Sequence, residues 1–171
     1  MKATLHRLYA QNRVYIWAAL AVTILLLTGF KLIYPYPNMV LDSYYYVLGA
    51  VNHSDVSPWA IGYSWFLRLL GVFTHSPLAL VIIQYLLLEG SLLVLFLTMT
   101  EILKLSRITR WIIFPFFFTN PLLLYCANFV MADTVFISLS VLWINLLLWM
   151  LYRPNPSLLW VHTGQIGRAH V

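Results

Sequence analysis

The sequence predicts an all-α integral membrane protein with about four transmembrane helices and two short interfacial helices in the first external loop. Hydrophobic residues make up 62% of the chain and charged residues 9%, compared with roughly 45–50% and about 25% in soluble domains. The apolar residues occur in long runs that short basic or proline-containing segments separate. Because a soluble fold of this length could not bury so much apolar surface, the composition places the chain in a bilayer.

The first transmembrane helix is predicted at residues 14–34, after a short basic amino terminus at residues 1–13. At 1.5 Å rise per residue, the uncharged run from Val14 to Phe30 can cross a hydrocarbon core of roughly 30 Å. No small-x-small cleavage site follows this run, so we predict an uncleaved helix and not a signal peptide.

Residues 35–76 are predicted to form an external loop that lies on the membrane surface. The loop is rich in tyrosine and tryptophan, whose amphipathic rings prefer the headgroup level of a bilayer. Asp42 or Ser43 can cap a first short helix that runs to about Val51. A serine–proline pair at residues 57–58 is a favourable start for a second helix.

The remaining segments follow from further apolar runs and their breakers. They are a second span at residues 77–100, a cytoplasmic loop at 101–110, a third span at 111–128, an external turn at 129–133, a fourth span at 134–152 and a cytoplasmic tail at 153–165. Prolines inside the third run predict a kink, because a proline leaves a backbone carbonyl without its helical partner. An aspartate–threonine pair at residues 133–134 is predicted to cap the fourth helix.

The distribution of basic residues predicts the orientation of these spans. Three Lys or Arg residues precede the first span and three lie in the loop at residues 101–110. Because such residues concentrate on the cytoplasmic side, both ends are predicted to be cytoplasmic. This topology places Asp42 and Asp133 together on the external side.

Gln84 and Glu89 are predicted to lie inside the membrane, within the second span. A charge at the bilayer centre costs about 2.5–3.5 kcal/mol on insertion scales, so we expect Glu89 to be protonated or paired. Two interpretations are open. Glu89 either makes a structural hydrogen bond to Asn120, Asn128 or Asn145, or it is a functional intramembrane acid.

Several other functional classes receive no support from the sequence. The formal net charge is +5 with the basic residues at segment ends, which argues against nucleic-acid binding. His53 and Asp55 alone do not make a metal site. Cys126 is the only cysteine, so an intrachain disulfide cannot form. No cofactor is predicted, and a requirement for a divalent metal is left open.

An external carboxylate at the membrane surface suits one reaction in particular. It can act as a general base that takes a proton from an acceptor hydroxyl while a leaving group departs from a lipid carrier in the same bilayer. The alternative is that Asp42 only caps a helix, as many aspartates do at such positions.

Three short motifs occur in a fixed order along the chain. They are Asp-Ser-Tyr-Tyr at residues 42–45, Gly-Tyr-Ser-Trp-Phe at 62–66, and Asn-Pro-Leu-Leu at 120–123 leading to Asp133. With these motifs, residues 12–152 resemble the amino-terminal part of a GT-C glycosyltransferase of the family 39 type. The likeness is to bacterial members related to protein O-mannosyltransferases and to the lipid A aminoarabinose transferase.

The resemblance implies a truncated GT-C fold and a set of site residues. It implies that Asp42 is the catalytic base and that Asp133 helps to shape the site. Many members have two adjacent acids in the first loop, whereas Ser43 occupies the second position here. We also assign Tyr45 and Tyr63, which lie in these motifs, to substrate binding, together with Arg68, a fixed positive charge on the external side that could meet the donor phosphate.

The resemblance also implies a function and a location. The protein would move a hexose or pentose from a polyprenyl-phosphate donor to an extracytoplasmic acceptor, as a multi-pass protein of the inner (cytoplasmic) membrane. Its partners would be the donor, the bilayer and an acceptor that the sequence does not name. The alternative function is a transporter or scaffold subunit in which Glu89 is the functional acid.

The last residues of the chain differ in origin from the rest of the sequence on our interpretation. Residues 166–171, and Gln165 before them, match one reading frame of the start of a common sequencing adapter. We therefore exclude residues 166–171 from fold reasoning as an artefact. On this interpretation the chain is an amino-terminal fragment, and we expect it to have no activity alone.

Overall fold

Helices make up the regular structure of the residues that the computed structural model describes, which are 2–54 and 59–152, with side chains from residue 9 onward. The helices are α1 (Lys2–Ile33), α2 (Leu41–Val51), α3 (Ile61–Phe73), α4 (Pro77–Ile102), α5 (Arg107–Phe118), α6 (Pro121–Ala127) and α7 (Ala132–Tyr152). The predicted all-α class is therefore confirmed for these residues. Asp55, the serine–proline pair at 57–58, the tail at 153–165 and the segment at 166–171 lie outside the described residues.

Four stretches are long and apolar enough to cross a membrane, as predicted. They are Tyr9–Ile33, Pro77–Ile102, Arg107–Ala127 and Ala132–Tyr152. The third consists of α5 and α6 together. Length and apolar character thus identify a membrane protein. Helix α1 also extends back to Lys2, through residues that the sequence suggested only as a basic amino terminus.

Helix α4 is the centre of the bundle, and it contacts α1, α5, α6 and α7. In its most apolar stretch 50% of the residues are buried, compared with 22% or less in the other three spans. Its central aromatic residue is Phe96, whose ring contacts Tyr15 of α1 and Phe114 and Phe118 of α5. The other spans keep wide apolar faces exposed, which suits a helix surrounded by lipid.

The bundle has two chemically different ends. We call the end that carries α2, α3 and the turn between α6 and α7 the loop end. We call the opposite end, which carries Lys104 in the connection between α4 and α5 and Arg107 and Arg110 in the first turn of α5, the basic end. The distribution of Lys and Arg in the sequence predicts that the basic end faces the cytoplasm.

Helices α2 and α3 form a hairpin whose close packing depends on Gly49. A Cβ atom on Gly49 would lie 3.0 Å from the Ser64 Oγ atom of α3. The same Ser64 hydroxyl donates a hydrogen bond of 3.0 Å to the Tyr46 carbonyl. The absence of a side chain at Gly49 therefore lets the two helix backbones approach each other.

The start of α2 differs from the prediction that Asp42 or Ser43 would be its N-cap. Val40 is the N-cap residue, and its backbone N–H donates to the Ser43 Oγ atom at 3.0 Å. The side chain of Asp42 makes no capping bond, although it lies in the first turn. Capping therefore does not account for Asp42, and its carboxylate is available for another role.

The third run is interrupted at one of its prolines, and the fourth span starts earlier than predicted. The third run is divided between α5 and α6 at residues 119–120, where Asn120 caps α6 through a 3.0 Å bond from the Leu122 N–H. Pro115 lies inside α5, before the break. Helix α7 begins at Ala132, so Asp133 lies in its first turn, where a negative charge complements the helix dipole.

Residues 36–38 are bound to residues 128–130, which joins the first loop to the turn after α6. The Asn38 N–H donates to the Asn128 carbonyl at 2.8 Å, and the Val130 N–H donates to the Asn38 carbonyl at 3.1 Å. The Asn128 side chain donates to the Tyr36 carbonyl at 3.2 Å and accepts a bond from Lys31 Nζ. This buried amide therefore connects the end of α1 to both connections at the loop end.

The end of α2 provides a stability prediction. His53 has a φ of 50° and the Ser54 N–H bonds the Gly49 carbonyl, the pattern in which glycine is preferred after a helix. His53→Gly removes the strain of a left-handed conformation, so we expect it to stabilise the protein by about 1 kcal/mol. Thermal unfolding in detergent measures the effect. His75→Gly is the control, since His75 has no positive φ, and an equal gain in both variants would contradict the explanation.

Candidate functional site

A half-buried carboxylate and two aromatic rings form the most distinctive polar group at the loop end. The Trp59 Nε1–H donates a hydrogen bond of 3.0 Å to Asp42 Oδ1. The ring of Tyr45 stacks on Trp59, with 4.1 Å between centroids and 9° between planes. Stacking on Tyr45 therefore orients the indole of Trp59, and the indole N–H holds one oxygen of Asp42 in place.

Tyr46 is close enough to both acids that the sequence predicted for the site to be affected by their charges. Its ring packs edge-on against Tyr63 at 5.0 Å, and its side chain is buried. Burial raises the pKa of the Tyr46 hydroxyl, and the charges of Asp133 and Asp42 raise it further. Both carboxylates are thus close enough to Tyr46 for their charges to act on the same hydroxyl.

The electrostatic relation between Tyr46 and Asp133 can be tested by titration. A nearby negative charge disfavours the phenolate, so removing it in Asp133→Asn is expected to lower the pKa of Tyr46. Burial remains, so the pKa stays above the usual value of about 10. NMR of tyrosine labelled at the ring carbon that bears the hydroxyl gives the titration curve, with Tyr46→Phe to assign the signal.

The control for this titration is Glu101→Gln, which removes a carboxylate at the basic end of the bundle. The pKa of Tyr46 should not change in this variant. If Asp133→Asn also leaves the pKa unchanged, Asp133 and Tyr46 do not share a site.

Tyr63 and Gln84 form a buried chain of hydrogen bonds across three elements. The Tyr63 hydroxyl donates to Gln84 Oε1 at 2.5 Å. Gln84 Nε2 donates to the carbonyls of Ala127 and Phe129, each at 3.1 Å. Burial, together with Tyr46 and Asp133, raises the pKa of Tyr63, which keeps its hydroxyl protonated as a donor.

These hydrogen bonds change the interpretation of two predicted site residues. Tyr63 was assigned to substrate binding, yet it is only 3% exposed and its hydroxyl is bound to Gln84. Gln84 was predicted as an intramembrane polar residue, and it joins α4 to α3 and to the turn after α6. Both residues hold α3, α4 and the end of α6 together at the loop end.

Arg68, the third residue assigned to substrate binding, closes the α2–α3 hairpin. Its Nη2 atom donates to the carbonyls of Gly49 at 3.0 Å and Ser54 at 2.7 Å, at the end of α2. A cation at that position complements the helix dipole. Arg68 also lines a largely apolar cavity of about 560 Å³, with His53 and His75 nearby in its wall.

Glu89 is buried within the bundle, and its observed partners are not the predicted ones. Its carboxyl group accepts hydrogen bonds from Tyr85, one turn earlier, and from Thr23 of α1. No hydrogen bond to Glu89 Oε2 occurs within the described residues. Glu89 lies five residues beyond Gln84 on α4, about 7.5 Å along the axis from that chain of bonds.

The asparagines expected to pair with Glu89 have other roles. Asn120 caps α6, and Asn128 bonds Lys31 and Tyr36. Asn145 Nδ2 donates to the Val141 carbonyl of its own helix at 2.8 Å. The prediction that these asparagines pair with Glu89 is therefore wrong.

Tyr46 and Trp59 are the site residues that sequence reasoning did not single out. Tyr46 follows Asp42 by one helical turn, a spacing that places both on one face of α2. Trp59 gave no comparable signal, because its bond to Asp42 spans 17 positions across the hairpin. Within the described residues, no three His, Cys, Asp or Glu side chains form a cluster that could hold a metal ion.

Comparison with known proteins finds no matching family model, no matching curated protein and no matching solved structure. The function is therefore inferred from the sequence and from the contacts of the residues at the loop end.

Proposed function

We propose that this chain provides the acceptor-activating part of a membrane glycosyltransferase of the GT-C type. In this proposal the loop end faces the external side, and α2 and α3 lie at the membrane surface. The donor is a sugar on a polyprenyl phosphate, and the acceptor presents a hydroxyl group at the same surface. The proposal extends the resemblance of residues 12–152 and applies to the protein that carries this chain.

The observation that supports the proposal best is the shared neighbourhood of Asp42 and Asp133. The acids are far apart in the sequence, and both act on the hydroxyl of Tyr46. Asp42 is not used as a helix cap, so its remaining structural roles are its place in the first turn of α2, next to the helix dipole, and its bond from Trp59. Trp59 donates to one oxygen of Asp42, and in this proposal the carboxylate accepts the proton through its other oxygen.

The proposed reaction assigns one step to Asp42. Its carboxylate takes the proton of the acceptor hydroxyl as that oxygen bonds to the anomeric carbon of the sugar. The bond from the anomeric carbon to the phosphate oxygen breaks, and polyprenyl phosphate leaves. Attack opposite to the leaving group inverts the anomeric centre. Asp133 supports the site electrostatically through its effect on Tyr46.

Two variants in the complete gene distinguish this function from its alternative. We expect Asp42→Asn to lose sugar transfer in membranes that are supplied with a lipid-linked donor. Glu89→Gln, which changes a buried acid on α4, should retain transfer. Loss of transfer with Glu89→Gln alone would reject the assignment of Asp42 as the base.

The proposed orientation has its own test. After Cys126→Ala, single cysteines at the exposed residues Asn52 and Arg107 should react with an impermeant maleimide from opposite sides of the membrane. Asn52 lies at the loop end and Arg107 at the basic end. We expect Asn52→Cys to react from outside, and its protection in intact cells would show that the loop end faces inward.

A transporter or scaffold function remains a second candidate because of Glu89. This side chain is 5% exposed within an apolar bundle, and its Oε2 atom accepts no bond from the described residues. An acid in such surroundings can carry a proton or bind a cation. Proton-coupled uptake that Glu89→Gln abolishes and Asp42→Asn preserves would favour this second function.

A further inference from the structure

A polar cavity of about 660 Å³ lies at the basic end of the bundle. Its volume is within the range of roughly 300–1,000 Å³ that is usual for ligand pockets. Helix α4 separates it from the loop end, since Pro77 and Glu101 lie about 36 Å apart along that helix. The polar residues of its wall come from α1, α4, α5 and the connection before α5; they are Gln11, Asn12, Thr100, Glu101, Lys104 and Arg110.

The position of this cavity along the spans corresponds to the headgroup level of a bilayer. Its wall combines residues 11–12 of α1, which directly precede Arg13 and the uncharged run from Val14, with the last turn of the span Pro77–Ile102 and the first turn of Arg107–Ala127. The ends of spans lie where hydrocarbon gives way to headgroups. Tyr9 and Trp111 are 49% and 51% exposed near the same ends, and such rings mark the interface.

The charges of the wall fit a phosphate diester. Lys104 and Arg110 provide two cations and Glu101 one carboxylate, so the wall carries a net charge of +1. The Arg110 guanidinium lies 5.7 Å from the ring centroid of Tyr15, and this contact helps to orient it. Arginine and lysine are the residues that most often bind phosphate oxygens.

The uncharged part of the wall adds hydrogen-bonding groups to this positive charge. Gln11 and Asn12 contribute amides, and Thr100 contributes a hydroxyl. Such groups can both donate to and accept from alcohol groups. A ligand with a phosphate diester and further hydroxyls therefore matches both the two cations and the uncharged groups of the wall, whereas a quaternary ammonium group has no N–H to donate to those groups and could meet only Glu101.

We propose that this cavity binds the headgroup of an anionic glycerophospholipid from the surrounding leaflet. The phosphate lies at Lys104 and Arg110, and the headgroup hydroxyls lie at the amide and hydroxyl side chains. The net charge of −1 on such a lipid balances the +1 of the wall. The lipid then links α1, α4 and α5 at the end opposite Asp42. This site is independent of the function proposed for the loop end.

Native mass spectrometry of the full chain, purified in detergent with added lipid, tests the proposal. Wild-type protein should retain phosphatidylglycerol in preference to phosphatidylcholine. Lys104→Asn removes one cation and tolerates the φ of 47° at this position. We expect it to retain about fivefold less phosphatidylglycerol, the loss typical of one basic residue at a membrane surface.

Arg107→Asn is the matched control, because Arg107 is an exposed cation at the start of α5 that does not line the cavity. Retention should be unchanged in this variant, and Lys104→Arg should retain lipid at the wild-type level. Equal losses in Lys104→Asn and Arg107→Asn would indicate general surface charge and overturn the site. Loss in neither, or loss in Lys104→Arg, would also overturn it.

Two measurements on wild-type protein keep the test independent of how the variants fold. Equal retention of phosphatidylcholine and phosphatidylglycerol would overturn the preference for an anionic lipid. Glycerol 3-phosphate should not displace the bound lipid at equal concentration. If it does, the cavity is a site for a soluble phosphate compound, and the lipid assignment is wrong.

Discussion

Asp42→Asn is expected to reduce sugar transfer by about 10²–10⁴-fold, the usual contribution of a general base. Asparagine keeps the size of the side chain and can still accept the bond from Trp59 Nε1, so the hairpin should remain intact. The loss should appear in the rate of the chemical step and leave donor binding unchanged. Initial rates in membranes containing the complete gene product, normalised to protein level, provide the measurement.

Two further variants separate the chemistry of Asp42 from its position. Asp42→Glu keeps the carboxylate but displaces it by one methylene, and a misplacement of about 1 Å can cost roughly 10²-fold. Trp59→Phe removes the N–H that holds Oδ1 while the ring can still stack on Tyr45. We expect Trp59→Phe to lower transfer by much less than Asp42→Asn. Full transfer by Asp42→Asn would reject the proposed base.

Gln84→Leu is expected to destabilise the protein by about 3 kcal/mol. The substitution leaves the Tyr63 hydroxyl and the Ala127 and Phe129 carbonyls without their observed partner. An unsatisfied buried polar group costs about 1–3 kcal/mol, and relaxation recovers part of the sum over three groups. Thermal unfolding in detergent gives the ranking of variants, and the yield of inserted protein should fall in parallel.

A double-mutant cycle checks that the cost arises from the chain of bonds. Tyr63→Phe alone should cost about 1–3 kcal/mol, because it leaves the buried Oε1 atom of Gln84 without its donor while Nε2 keeps its two carbonyl partners. In the Gln84→Leu background the same change should cost almost nothing, or should stabilise. Additive losses would mean that Tyr63 and Gln84 do not act as a pair.

The spans were predictable from sequence because membrane insertion depends on local properties. A run of about 20 apolar residues satisfies its own backbone as a helix and its side chains in lipid, whatever its neighbours are. The prolines predicted a kink in the third run, but local signals did not decide that this run divides into two helices at residues 119–120, and they missed the helical continuation of α1 to Lys2. Both depend on backbone preferences near the ends of apolar runs, where hydropathy gives little information.

The site was only partly predictable, because its contacts join distant positions. The sequence singled out Asp42 and Asp133, but it allowed Asp42 to be a cap or a base. The choice depends on Ser43, whose side chain accepts the Val40 N–H and leaves Asp42 out of the cap. The partners of Glu89 and Gln84 come from helix packing, which composition and spacing do not specify.

The bonds between residues 36–38 and residues 128–130 impose an order on biogenesis. The amide of Asn128 is 92 positions after the Tyr36 carbonyl that it binds. At roughly 5–20 residues per second, translation reaches Asn128 about 5–20 s after Tyr36 has been made. The bonds of the first loop to residues 128–130 therefore cannot form until the chain through the third span has been synthesised. The loop end can therefore assemble only after α4, α5 and α6 have been made.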